Sequence, residues 1–290
     1  MHIDEMRYQA LTTGQTESCL FLLSSSQAYH LMQNVSESLA GRLAIMPMQG
    51  ISWRETGQIH CLLPFLPDAE YLTARSQDYV ELSNPWPVIH RGSMPRLVSS
   101  NDDWDSYYAN YVASYLERDV NQLTKIGERT DFTRFMTAVA ARSGELLNYD
   151  SIARTVGVAA TTVKRWLSIL ETSGLICLLY PYASNHLKRI LKTPKVYFMD
   201  TGLMAWLSRW LTPETIASGA KAGQFFETWV ISEIVKSYLN AGKSLRGLYF
   251  YRDADQCEID LLIESGQTIY PRDQDDSQAE QAYGKCICPA

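Results

Sequence analysis

The stretch from Ser151 to Leu170 constrains the fold of this chain more than any other. Ser151–Val156 and Ala159–Leu170 read as two short amphipathic helices on either side of Gly157. Ala153 is small where two such helices must cross, and Gly157 permits the tight turn between them. Val158, Val163, Leu167 and Leu170 supply an apolar face. Thr161, Thr162, Lys164, Arg165 and Ser168 fall on the other side, where a recognition helix shows its polar groups. The pattern is that of a helix-turn-helix.

The flanks extend it. Phe132–Ala141 and Tyr149–Val156 read as helices before the turn, and Ser173-Gly174 stops the helix Ala159–Thr172. Leu175–Tyr182 and Lys195–Met199 are strand-like and form the expected wing of a winged helix. Between Ala183 and Met199 stand Lys188, Arg189, Lys192 and Lys195, with no acid. A run of this kind suits phosphates. The net charge of -6 excludes a general positive coat but not a local basic face. Contact with duplex DNA through Thr161, Thr162, Lys164, Arg165, Lys188, Arg189 and Lys192 is one expectation. Docking of a protein partner on the winged helix is the other.

A second informative segment runs from Tyr249 to Asp276. Tyr249–Arg252, Glu258–Ile263 and Thr268–Tyr270 read as strands, with a turn at Asp253–Gln256 and another at Gly266. Before them, Gly223–Leu239 reads as a helix carrying Glu227. Metal-dependent cleavage of DNA needs carboxylates for Mg²⁺ and usually a lysine at the water. Glu227 and Asp260 are the candidate catalytic and metal-ligating acids. A carboxylate-x-Lys pair should follow Tyr270, but Pro271-Arg272-Asp273-Gln274 stands there instead. The bland alternative is that Glu227 and Asp260 pair with Arg252 or other cations, and it is favoured for want of the lysine.

The rest of the chain is plainer. Asn101-Asp102-Asp103 is helix-start chemistry, and the aromatics from Trp104 to Tyr115 recur at helical spacing as a core-facing stripe. Pro64–Pro95 reads as a long irregular connection. Cys19–Leu23 is an apolar strand ending in Ser24, Ser25 and Ser26, as sensor strands of P-loop ATPases do. Yet no Gly-x-x-x-x-Gly-Lys-Ser/Thr occurs to cradle a phosphate. The six cysteines lack zinc-site spacing, no run is long enough to span a membrane, and no secretory signal is present. These features point to reduced thiols and a cytoplasmic protein without a membrane partner.

Several segments together resemble the bacterial and archaeal AAA-type ATPases whose C-terminal half is a domain of unknown function. They are Leu22–Gln27, Ser36–Arg42, Tyr115–Val120, the winged helix, Tyr197–Leu203, Phe226-Glu227 and Glu258–Asp260. The resemblance implies an ATPase lobe, a winged helix and a restriction-endonuclease-like domain, with ATP and Mg²⁺ as cofactors of full-length members. It makes Ser24, Ser25, Ser26 and Arg42 remnants of a nucleotide site. No cofactor is expected for this chain itself.

The expected fold class is therefore multidomain α/β. Residues 1–100 are a partial P-loop ATPase lobe, and 101–200 a helical linker and winged helix. Residues 201–270 are a partial restriction-endonuclease-like α/β domain, and 271–290 a disordered, out-of-frame tail. The chain reads as truncated at both ends, as from a gene fragment, and hence as marginally stable or self-associating. A DNA-associated ATPase remnant inactive as an enzyme ranks first among its functions. A Mg²⁺-dependent nuclease and a protein-interaction module follow.

Overall fold

The computed structural model describes residues 46–59, 63–76, 79–115, 129–182, 193–252 and 258–270. Four short helices come first: α1 (Trp53–Thr56), α2 (Ala69–Ser76), α3 (Trp86–Arg91) and α4 (Pro95–Ser99). Then follow α5 (Trp104–Tyr115), α6 (Arg129–Ala140), α7 (Tyr149–Val156) and α8 (Ala160–Thr172). Strands β1 (Ile176–Pro181) and β2 (Lys195–Phe198) lead into α9 (Thr201–Leu207), α10 (Pro213–Ser218) and the long α11 (Ala222–Asn240). Strands β3 (Leu248–Arg252), β4 (Glu258–Ser265) and β5 (Thr268–Tyr270) end the described part.

The Ser151–Leu170 region holds two helices, α7 and α8, that meet at Gly157. Asn148 caps α7, its side chain accepting from the Ser151 N–H at 2.8 Å. Gly157 ends that helix at φ 87°, ψ 30°, a left-handed conformation that costs a β-carbon-bearing residue about 1–2 kcal/mol. Ala153 is buried where α7 meets α8. Val163, Leu167 and Leu170 are buried on α8, while Thr161, Lys164, Arg165 and Ser168 are exposed and Thr162 is half-buried. The patterning overlooks Trp166. It is fully buried, with ring centroids 5.2 Å from Phe132 and 5.3 Å from Phe135, and anchors α8 on α6.

The sheet is mixed and five-stranded, in the order β2-β1-β3-β4-β5. Its pairs are antiparallel except β1 with β3, which run parallel through Tyr180↔Tyr249 and Pro181↔Phe250. The Tyr182 N–H extends that seam to the Phe250 carbonyl. The strand pair following α8 is therefore fused to the strands following α11. Residues 144–147 close the free edge of β2: Gly144 donates to Val196, and Leu147 to Pro194.

Side chains alternate across β2, and the two faces feed two cores. Val196 and Phe198 join the helical core with Phe132, Trp166 and Ile176. Tyr197 and Met199 join Leu179, Ile231, Val235, Phe250 and Ile263 under α11. Asp200, next along, is buried and ties three segments together. Its Oδ1 accepts from the Leu203 N–H, as the cap of α9, and from Tyr108 Oη. Its Oδ2 accepts from the Ser93 N–H and Oγ. Gly202 lets α9 come this close, since a β-carbon there would collide with Tyr108 Oη and the Arg91 carbonyl.

The structure departs from the sequence reading between Pro64 and Pro95. That stretch is not wholly irregular: α2 and α3 lie within it, and Pro95 begins α4. Prolines mark helix starts here, with Pro87 inside the first turn of α3 and Pro95 in that of α4. Residues 1–45 and 271–290 lie outside the described residues, and with them Ser24, Ser25, Ser26, Arg42 and the tail.

Candidate functional site: an acid–lysine cluster and an exposed helix face

Three elements bring one cation and three acids to a point. Lys195 and Tyr197 leave the same face of β2, two residues apart. Glu258 and Asp260 stand in the same relation on β4, and Glu227 comes from the second turn of α11. The Lys195 ammonium donates to Asp260 Oδ1 at 2.8 Å and lies 2.5 Å from Glu258 Oε1 and 3.4 Å from Glu227 Oε1. The Tyr197 hydroxyl donates to the same Glu227 oxygen at 2.6 Å. The Phe250 ring lies beneath the ammonium, 5.7 Å from its centroid.

The lysine is the enclosed member. Its side chain is 5% exposed, against 26% for Glu227, 29% for Glu258 and 48% for Asp260. Burial pulls the Lys195 pKa down, but the Asp260 hydrogen bond, the Glu227 charge and the Glu258 bond outweigh it. The net direction is upward, so the ammonium keeps its proton at neutral pH. Burial raises Glu227, only partly offset by Lys195 and the Tyr197 hydroxyl, and the Asp260 charge raises it further. Burial and the adjoining Glu227 also push Tyr197 far up, which makes it a donor and not a phenolate.

The cluster has a consequence for metal binding. An ammonium is a compact point charge with three donors. Here its donors face the three carboxylates that a divalent ion would need as ligands. Among the described residues, no group of three or more His, Cys, Asp or Glu side chains is arranged to hold a metal. The Mg²⁺ that the family resemblance implies does not fit Glu227 and Asp260 as they stand.

Sequence reasoning singled out Glu227 and Asp260 and found no lysine for them. It placed Lys195 in the basic run facing phosphates, and the structure corrects that: Lys195 is buried among acids. Arg252, the cation named as an alternative partner, sits 3.6 Å from Glu258 Oε2. Tyr197 and Glu258 were missed as members. One local signal was available, since Lys195 opens a strand, Val196–Phe198, that is apolar on both faces, and a lysine there must find a carboxylate.

The second candidate surface is the outer face of α8. Thr161, Lys164 and Arg165 are exposed there, with Thr162 half-buried, and the Lys164 ammonium sits 5.2 Å from the Tyr149 ring centroid. Lys188, Arg189 and Lys192 lie outside the described residues. On β1, burial pushes the Cys177 thiol up to about 12, so it is not a nucleophile at neutral pH. No helix among the described residues is long and apolar enough to cross a membrane.

Comparison with known proteins finds two family models that match parts of the chain. Residues 86–214 match a domain of unknown function, DUF8612, and residues 222–273 match another, DUF4143. The chain is similar to the uncharacterized proteins Mb2031c of Mycobacterium bovis and Rv2008c of Mycobacterium tuberculosis. It is 28% identical to each over 246 residues, which cover 84% of this chain and 49% of the relative. The chain thus spans about half the length of the curated relatives it matches. No solved structure matches it. Lys195 and Tyr197 belong to the first matched domain and Glu227, Glu258 and Asp260 to the second, so the cluster sits across their junction.

Proposed function

We propose that this chain is a DNA-associated, non-cleaving part of a cytoplasmic protein of the AAA-type ATPase-associated kind. The face of α8 carries the proposal: Thr161, Lys164 and Arg165 project outward from a helix whose opposite side is anchored by Val163, Trp166 and Leu170. A helix with polar and basic groups on its outer side, followed by a strand pair, has the form of a winged helix docked on duplex DNA. The match to DUF4143, a domain found in AAA-ATPase-associated proteins, supports the family reading. The strands β3–β5 with α11 are taken as a restriction-endonuclease-like core. The pairing of the Lys195 ammonium with Asp260, Glu258 and Glu227 is the reason that cleavage is not proposed.

The test is a mobility shift with short duplexes across a range of salt. Lys164→Ala with Arg165→Ala is expected to weaken binding about 10-fold or more and to lower the salt slope by about 2, one per phosphate contact. Binding insensitive to both changes removes α8 as the contact. Incubation of the same duplexes with Mg²⁺ is expected to leave them intact. Cleavage abolished by Asp260→Ala would instead establish a Mg²⁺-dependent nuclease. Capture of a protein partner without DNA, lost in the same α8 variant, would establish an interaction module.

A further inference from the structure

Helix α11 also walls a cavity of about 290 Å³ that shares no residue with the acid–lysine cluster. It lies between α11, the segment around Ile51 and Trp53, the α3–α4 turn and the start of α9. Trp53, Trp229, Val88 and Val98 give it flat apolar walls. Its charged lining is unbalanced, with two cations, Arg91 and Lys236, against one acid, Glu233.

The polar geometry shows which groups remain to serve a ligand. Both Glu233 oxygens are engaged: Oε1 accepts from Lys236 Nζ at 2.9 Å and Oε2 from the Trp53 N–H at 2.6 Å. Lys236 is 1% exposed, and among the described residues its ammonium has this single hydrogen-bonded acceptor for three N–H groups. Glu55 also interacts with the Lys236 charge, but it does not line the cavity. Arg91 gives Nε and Nη2 to the carbonyls of Leu97, Ser100 and Asp102, which fixes its plane and leaves Nη1 to spare. Thr201 also lines the cavity. A half-open site whose own lining carries two cations against one acid, with donors to spare, is complementary to an acceptor-rich anion. Its volume sits at the lower limit of small-molecule pockets, roughly 300 Å³. That suits a single ring with one acidic group.

We propose that this cavity binds a small planar aromatic carboxylate, its ring between Trp53 and Trp229 and its carboxylate toward Arg91 and Lys236. The site is independent of the DNA reading. The full chain is titrated with benzoate and with indole-3-carboxylate by calorimetry, beside the neutral benzamide and indole. The carboxylates are expected to bind and raise the melting temperature, with each neutral analogue at least about 10-fold weaker, or ~1.4 kcal/mol. Val98→Phe fills the cavity from its apolar wall and is expected to abolish binding while the circular dichroism of the fold is retained. Thr201→Val keeps the volume and is expected to weaken binding less. Equal affinity for acid and amide overturns the charge argument, and undiminished binding to Val98→Phe places the ligand elsewhere. No binding of any probe at millimolar concentration overturns the proposal.

Discussion

Replacing Lys195 by methionine keeps the length and bulk of the side chain and removes the charge that Glu227, Glu258 and Asp260 share. Removing one partner from a fully buried ion pair costs about 3–5 kcal/mol. The acids here are a quarter to a half exposed, so water shields part of their repulsion, and about 2–3 kcal/mol is expected at pH 7. The sign of the pH dependence follows from the pKa directions. Lys195 is raised in the fold, so its contribution is fully present below the unfolded lysine value and is lost only in the alkaline range above it. Without it, Glu227, already raised by burial, relieves the repulsion by taking a proton as the pH falls. The deficit of Lys195→Met should therefore shrink between pH 7 and pH 5. Urea denaturation of both proteins at each pH, followed by circular dichroism, measures it. An equal deficit at both pH values, or a larger one at pH 5, would falsify the assignment of Lys195 as the counter-charge.

Three further outcomes are expected. Asp200→Ala removes the acceptor of four hydrogen bonds, from Leu203, Tyr108 and Ser93, and should cost about 3–5 kcal/mol by denaturant titration. Asp200→Asn, which keeps one carbonyl acceptor, should cost less. Gly202→Ala drives a methyl into Tyr108 Oη and the Arg91 carbonyl and should lower stability by about 1–3 kcal/mol, whereas Gly223→Ala, with open space around it, should be neutral or stabilising. Trp166→Ala should cost about 3–5 kcal/mol by emptying the contact between α6 and α8, and an unchanged unfolding midpoint would remove Trp166 as the anchor.

What was legible in the sequence was local. The α7–α8 pair is written in Ala153 and Gly157, where a small crossing residue and a left-handed turn act within a few residues of one another. The strands β3–β5 and the helix α11 were legible for the same reason, since periodicity and turn residues are short-range. The helices α3 and α4 were hidden because proline was read as a breaker, whereas in a first helical turn its missing N–H costs nothing. Lys195 was hidden by its neighbours. Lys188, Arg189 and Lys192 made it look like part of a basic run, and its partners lie 32 and 65 residues away at Glu227 and Asp260. Asp200 was legible as part of a family-like segment. Its bond to Tyr108 spans 92 residues and has no local trace.

The parallel seam between β1 and β3 bears on how the chain reaches its fold. The β1–β2 pair joins strands near one another in sequence, and so do the pairs among β3, β4 and β5. Among the described residues, the seam joins them at Tyr180–Tyr182 and Tyr249–Phe250, after α9, α10 and α11 have been laid down between. Chain-closure entropy makes such a pairing slow relative to the local ones. Until it forms, the edges of β1 and β3 are open and Leu179, Tyr197 and Phe250 lack their shared cover. The interval before the seam closes therefore leaves these apolar groups and strand edges open to aggregation.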